Sequence, residues 1–252
     1  MLYACYWRQD RRKIPDPNPM TQETASVREF DSYLYAITHD LKGFSRAMRV
    51  IPEWIIEDMG QSQVTLPGEV ADHLSMLQHY ARGMDRMLDG LTDLSRVGRL
   101  ANPPAQTSLR DALDQAWAQI GDTDRFSADF SQVDATVQAP DNDLQRLLQA
   151  LLKNSISHHD KNTGSVKAKA WPDGDRMILE VSDDGPGIEL AYRDKVFEPL
   201  HTLSPKDETG YSGLGLTVAR KVVGTLGGEI AIVDSATPGD RGCTVRCDLP
   251  AA

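Results

Sequence analysis

From residue 27 to residue 55 the apolar residues fall at Val27, Phe30, Leu34, Ile37, Leu41, Phe44, Met48, Ile51 and Ile55, alternating steps of three and four without a miss. A strand repeats every two residues, so this spacing predicts a long helix carrying a heptad seam made for bundling. Pro52 is expected to kink or interrupt its last turn. The turn-rich stretch GQSQVTLPGE follows. Beyond it a second helical pattern places Val70, Leu74, Leu77, Ala81, Met84, Leu88 and Leu91 on one stripe, with a companion stripe through Met76, Tyr80, Met87 and Leu94. Two apolar stripes need more than one neighbour, and a two-helix hairpin offers only one. Self-association into a four-helix bundle supplies the rest. Packing of the extra stripe on the C-terminal half of the chain is the alternative.

The segment GRLANPPAQTS ends the hairpin and marks a linker and a domain boundary. The expected division is a flexible arm over residues 1–23, a helical domain over 24–98, a linker over 99–107 and a second domain over 108–252. In that second domain a helix starts after Ser108, which caps it with Asp111 three positions on. Weak strand signals lie near Phe126 to Phe130 and Ala135 to Gln138. A helix over Asp141 to His158 puts Leu144, Leu147, Leu148, Leu151, Leu152 and Ile156 on its core face. The hairpin SVKAKAWPDGDRMILEVSDD turns at Pro172, Asp173 and Gly174. A glycine-rich region, a helix near Leu214 to Leu226 and two closing strands complete the chain. In the last strand Cys243, Val245, Cys247 and Leu249 alternate with polar residues, which puts both cysteines on the core face. The fold class is an all-α hairpin followed by α+β, with helices on one side of a mixed sheet.

Composition narrows the partners. The 252 residues are 40% hydrophobic and 25% charged, enough to bury a core, and 37 acidic against 27 basic residues leave a formal charge of -10. That balance argues against nucleic acid or an anionic membrane as a partner held by bulk electrostatics, so any phosphate must be held locally. No apolar run is long enough to span a bilayer and the first residues lack the apolar stretch of a signal peptide, so a cytoplasmic protein is expected. Three cysteines, Cys5, Cys243 and Cys247, fit neither a disulfide framework nor zinc-ligand spacing.

Two groups of residues carry candidate chemistry. His39 sits at heptad position f, pointing away from the seam, beside Asp40 at g. A carboxylate there can fix the imidazole tautomer so that the other ring nitrogen presents a lone pair; Asp40 could instead pair with Lys42 or Arg46. In the C-terminal half, the strand MILEVS runs into DDGPGI, where Gly185 and Gly187 permit a sharp turn and close approach of a ligand. Asp183 cannot favourably face phosphate, but it can accept a hydrogen bond from an exocyclic amine such as that of adenine. In SGLGL, Gly213 and Gly215 stand at a helix start, where free amides favour polyphosphate. The chain has no GxxxxGK loop and no protein-kinase signature.

LYAITHDLKGFSR resembles the phosphoacceptor box of sensor histidine kinases, and LLQALLKNSISHHD, VSDDGPGI, KVFEPLHTLSPKDE and SGLGLTVARKVV resemble their ATP-binding boxes, in the family's own order. The resemblance covers roughly residues 27 to 250. It implies a dimeric helical hairpin followed by the ATP-binding sandwich shared with certain chaperone and topoisomerase ATPases. It further implies that His39 takes the γ-phosphoryl group of ATP with Asp40 assisting as base, that Asn154 helps hold Mg²⁺, and that Asp183 binds the adenine amine. His158 stands where the family commonly has an aromatic near the base, and Thr244 matches a hydroxyl residue close to the adenine carboxylate. Gly185 and Gly187 would flank the base, and Gly213, Leu214 and Gly215 would close the phosphate side. Residues 199–212, with Lys206, would form a lid anchored at Phe197.

The resemblance also implies the partners: a second copy of the chain, and an aspartate on a separate response-regulator receiver domain. Input is expected from a separate sensor protein, from the N-terminal arm or from a domain outside this chain. The sequence departs from the family pattern at several points. Gly43 replaces a Thr or Asn linked to phosphatase action, the proline after the phosphoacceptor is missing, and Asp184 replaces a more frequent Asn. Ala150 stands for a first asparagine, and Ser157 stands where a basic residue is common. Two competing functions follow: a dimeric phosphotransfer adaptor with a degenerate ATP site, and a chaperone-type ATPase without a phosphorylated side chain.

Overall fold

The computed structural model describes residues 19–121, 123–203, 211–234 and 241–252, with side chains from residue 31 onward. Two long antiparallel helices come first, α1 (Pro19–Gln61) and α2 (Gly68–Arg96). Helix α1 begins within the stretch expected to be an arm; residues 1–18, Cys5 included, lie outside the described residues. It also continues through Pro52, which is buried, without the interruption expected there.

The inner face of the hairpin is not the apolar seam. Among the described residues of α1 the buried ones are Asp31, Thr38, Ser45 and Pro52, seven apart. Helix α2 answers with Ala81, Leu88, Thr92 and Ser95. Small side chains let the backbones approach closely, and the Ser45 hydroxyl donates to the Ala81 carbonyl at 3.2 Å. The other buried hydroxyls are satisfied by their own helices: Thr38 donates to the Leu34 carbonyl and Thr92 to that of Leu88. Ion pairs Lys42–Asp89 at 2.8 Å and Arg49–Asp85 at 3.6 Å fix the register. The seam residues Ile37, Leu41, Phe44, Met48, Ile51 and Ile55 are left exposed, Phe44 to 67%.

The second unit starts earlier than its sequence indicates. Strand β1 (Ala105–Ser108) lies inside the expected linker and pairs antiparallel with β3 (Thr136–Ala139). Between them come α3 (Leu109–Gln119), whose cap Ser108 accepts from the Asp111 N–H, and β2 (Phe126–Gln132). Then follow α4 (Asp141–Ser157), β4 (Gly164–Asp173), β5 (Arg176–Asp183), α5 (Gly215–Thr225), β6 (Ile230–Val233) and β7 (Thr244–Pro250). The β4–β5 turn is tighter than its composition suggests: Pro172 and Asp173 are paired with Met177 and Arg176, which leaves the turn to Gly174 and Asp175.

The five-stranded sheet has the order β2-β4-β5-β7-β6, with β2–β4 parallel and the other pairs antiparallel. Helices α4 and α5 pack against each other. Leu144, Leu147, Leu148 and Leu152 are fully buried on α4, opposed by Leu179, Val181, Cys247 and Leu249 of the sheet.

The hairpin leans on this unit. Lys221 of α5 reaches both Asp31 carboxylate oxygens, at 2.9 and 3.0 Å, and the Leu94 carbonyl at 2.9 Å. Leu94 packs against the sheet-side core, so part of the companion stripe of α2 is covered by the same chain. Gly90 lets α2 come close to Leu214; a Cβ there would stand 2.8 Å from the Leu214 Cβ.

Candidate functional site

His39 stands on the outer surface of α1 with 73% of its side chain exposed, and its Nδ1 lies 3.3 Å from Asp40 Oδ1. A carboxylate at that distance favours the proton on Nδ1, which turns the Nε2 lone pair toward solvent. Tyr35, one turn earlier, lies under the guanidinium groups of Arg96 and Arg99 at 5.7 and 5.1 Å. The His39 face of α1 is therefore open to solvent, and its foot is pinned to the end of α2.

A cavity of about 600 Å³ opens in the second unit. Helix α4 gives it Ala150, Asn154, Ser157 and His158, which share a face because they recur every three or four residues. The end of β5 gives Asp183 and, just beyond, Gly187; the start of α5 gives Gly213, Leu214 and Gly215. Gly213 has φ +65°, and a Cβ there would lie 2.6 Å from the His201 carbonyl, so only glycine lets the chain fold over the pocket at this point. The N-terminus of α5 faces the same space with its first amides unpaired by the helix itself.

Asp183 is held at the floor. Its Oδ1 accepts the N–H groups of Gly185 and Cys243, each at 3.0 Å. Burial raises the pKa of this carboxyl above the ordinary range, against the lowering effect of those two amides, the Ser155 hydroxyl and His159. His158 stacks obliquely on Tyr211 with ring centroids 4.4 Å apart. Desolvation lowers its pKa, and Asp183 opposes the shift. Asp184 turns away from the cavity and ties down the neighbouring loop, accepting from the Ser165 N–H at 2.7 Å and lying 3.1 Å from His159 Nε2.

The sequence-predicted residues Asn154, His158, Asp183, Gly187, Gly213, Leu214 and Gly215 thus surround one space. Gly185 contributes its N–H to Asp183. Thr244 does not line the cavity. It is directed to the other face of β7, where its hydroxyl lies 3.0 Å from that of Ser182, and the residue of that segment at the pocket is Cys243. Lys206 lies outside the described residues.

Sequence reasoning missed several lining groups. Cys243 had been read as a plain core residue; it is buried beside Asp183, which together with desolvation pushes its thiol up to about 12 and leaves it unreactive. Gly242 was missed too: at φ +112° it is pressed against the Asp183 carbonyl, so tightly that no Cβ would fit. An entire wall comes from α2 through Arg86, Asp89, Gly90 and Asp93, which no local pattern signals because the contact joins two units.

An Mg²⁺ ion fits the oxygen donors present. The Asn154 side chain has no hydrogen-bond partner among the described residues, and Mg²⁺ characteristically takes one or two protein oxygens while phosphates and water fill the rest of its shell. No group of three or more His, Cys, Asp or Glu residues suited to an all-protein metal site occurs among the described residues.

Comparisons with known proteins agree with this geometry. The family described as "Histidine kinase-, DNA gyrase B-, and HSP90-like ATPase" matches residues 140–252. The sensor protein KdpD of Rathayibacter rathayi is 30% identical over 240 residues, covering 91% of this chain and 26% of that protein. The methanogenesis regulatory histidine kinase FilI of Methanothrix harundinacea is 27% identical over 231 residues, covering 90% of this chain and 25% of that protein. The chain spans about a quarter of the length of these curated relatives. Among solved structures, full-length ShkA in complex with AMPPNP has a TM-score of 0.60 at 18% identity, over 88% of this chain and 46% of that one. Histidine kinase ThkA in complex with the response regulator TrrA has a TM-score of 0.61 at 18% identity, over 92% of this chain and 66% of that one. Both share the fold.

Proposed function

We propose, from a chain that is the catalytic core of a sensor histidine kinase, that it is an ATP-dependent protein-histidine autokinase acting as a homodimer in two-component signalling. Helices α1 and α2 are its dimerisation and phosphotransfer domain, and the unit from β1 to β7 is its ATP-binding domain. The phosphoryl group passes from His39 to an aspartate of a separate response-regulator receiver domain in the cytoplasm, and the input comes from a sensor outside the described residues. Two similar proteins of known structure support both partners: ShkA is in complex with AMPPNP and ThkA with a response regulator.

One observation carries the reading. An imidazole that is open to solvent and poised by a carboxylate occurs in the same chain as an unfilled, nucleotide-sized cavity with a carboxylate at its floor. In the transfer, the His39 Nε2 lone pair forms a bond to the γ-phosphorus as the bond from that phosphorus to the β,γ-bridging oxygen breaks, and ADP leaves with the electron pair. Asp40 holds the Nδ1 proton and stabilises the ring as it becomes cationic. Asn154 would help hold Mg²⁺, which would supply positive charge to the phosphates. Asp183 orients the purine through its exocyclic amine, while Gly213, Leu214 and Gly215 present backbone amides to the phosphates.

His39 is not among the residues lining the cavity, to which the hairpin contributes through α2. Transfer therefore requires the ATP-binding unit to leave the position seen here, or to serve the partner's histidine. An adaptor with a decayed nucleotide site, suggested by Ala150 and Ser157, is disfavoured by the open volume of the cavity. The test is incubation with γ-labelled ATP. Wild type should acquire an acid-labile label, His39→Gln none, and Asn154→Asp at most a small fraction. Steady hydrolysis with no labelled histidine would replace the reading with a chaperone-type ATPase.

A further inference from the structure

The cavity presents a charge problem. Two carboxylates, Asp89 and Asp93, lie on its α2 wall, in a chain of net charge -10 that must nonetheless hold a polyphosphate. The cations that line it among the described residues are Arg86, Arg146, Lys153 and whatever charge the histidines carry. Arg146 is committed to Asp143 at 2.5 Å and to Asp93 at 3.8 Å, and Arg86 has a partner of its own. Lys153 is exposed and in no hydrogen bond or ion pair among the described residues, and its charge reaches Asp93 of the α2 wall only at longer range, lowering the pKa of that carboxyl against the larger effect of burial.

Its position is suited to the task. Lys153 immediately precedes Asn154 and lies one helical turn before Ser157, on the same face of α4. It lines both the main cavity and a second basin of about 510 Å³, which share Lys153, Ser157 and Tyr211. That basin also carries Arg125 and Lys161 and no carboxylate among its described lining residues. Lys153 therefore stands where the main cavity adjoins a basin whose described charged lining is basic. A flexible stem with a compact ammonium suits an anion that must be gripped and then released.

We propose that the Lys153 ammonium binds the polyphosphate, one turn upstream of position 157, where serine stands. The assignment rests on the nucleotide reading above and names the residue that gives it phosphate affinity. A charge-assisted contact of this kind acts on the phosphates and not on the base. Titration calorimetry with Mg-ATP and with adenosine separates the two. In Lys153→Met the Kd for ATP should rise about tenfold while that for adenosine stays at the wild-type value, which also shows the pocket intact. Lys153→Arg should stay within about threefold of wild type, and Lys153→Met combined with Ser157→Lys should recover most of the lost affinity.

Unchanged ATP affinity in Lys153→Met overturns the proposal, and so does an equal loss for ATP and adenosine, which would indicate a packing role. If wild type binds adenosine but Lys153→Met leaves ATP unaffected, the nucleotide reading survives and the lysine assignment fails. If wild type binds neither ligand, both fall.

Discussion

The two units of this chain are built on opposite plans. In the ATP-binding unit the large apolar side chains point inward: Leu144, Leu147, Leu148, Leu152 and Leu179 have no exposed surface. In the hairpin the inside is made mostly of small or polar side chains, Thr38, Ser45, Ala81, Thr92 and Ser95 beside Leu88, and the apolar seam of α1 faces outward. Burial contributes roughly 25 cal/mol per Å² of apolar surface. The first unit therefore draws its stability from within, and the second must draw it from whatever covers Ile37, Leu41, Phe44, Met48 and Ile51. The contact inside the chain is thus set largely by small residues that hydropathy overlooks, while the uniform heptad seam is left facing outward.

The largest test of that contrast is Leu148→Ala against Ile51→Ala. The first should cost about 2–5 kcal/mol in urea unfolding, from lost transfer energy and a cavity. The second, measured at dilutions where the chain is monomeric, should stay within about 0.5 kcal/mol of wild type. Equal losses would mean that the seam is already covered within one chain.

Phe44→Asp sharpens the same point from the side of assembly. It should raise the dimer dissociation constant about a hundredfold, read by sedimentation equilibrium, without lowering nucleotide affinity in the other unit. A mass unchanged at low concentration would break the division.

The smallest effect concerns pH. The folded state raises the pKa of Asp183, so keeping this carboxylate ionised costs stability above that pKa, and the cost disappears as the pH falls through it. Asp183→Asn should then be more stable than wild type at pH 8 by less than about 1 kcal/mol, with the advantage shrinking toward pH 4. The same variant should bind ATP poorly. An advantage that grows on acidification would contradict the assigned shift.

Much of the ATP-binding unit was legible in its sequence, because leucines at helical spacing, the alternating residues of β7 and the glycines beside Asp183 each act within a short stretch. The hairpin as a pair of helices was legible for the same reason. What escaped depends on residues far apart in the chain. Strand β1 needs β3 to become a strand at all, and a run containing Gln106 and Thr107 has no hydrophobic period to announce it. The buried row Asp31, Thr38, Ser45, Pro52 is polar or small, and Asp31 is buried because Lys221, 190 positions away, neutralises it. Thr244 was misplaced for a subtler reason: it neighbours the right residue, but one step along a strand reverses the direction of a side chain.

The bond set around Lys221 has a mechanical corollary. One ammonium spans the two hairpin helices, holding Asp31 on α1 and the Leu94 carbonyl on α2 at once. Sliding α1 past α2 by a single residue would displace Asp31 by about 1.5 Å along the axis, enough to stretch or misalign its 2.9 Å contact with Lys221. The grip of the nucleotide unit on the hairpin is therefore a vernier that reads the relative height of the two helices.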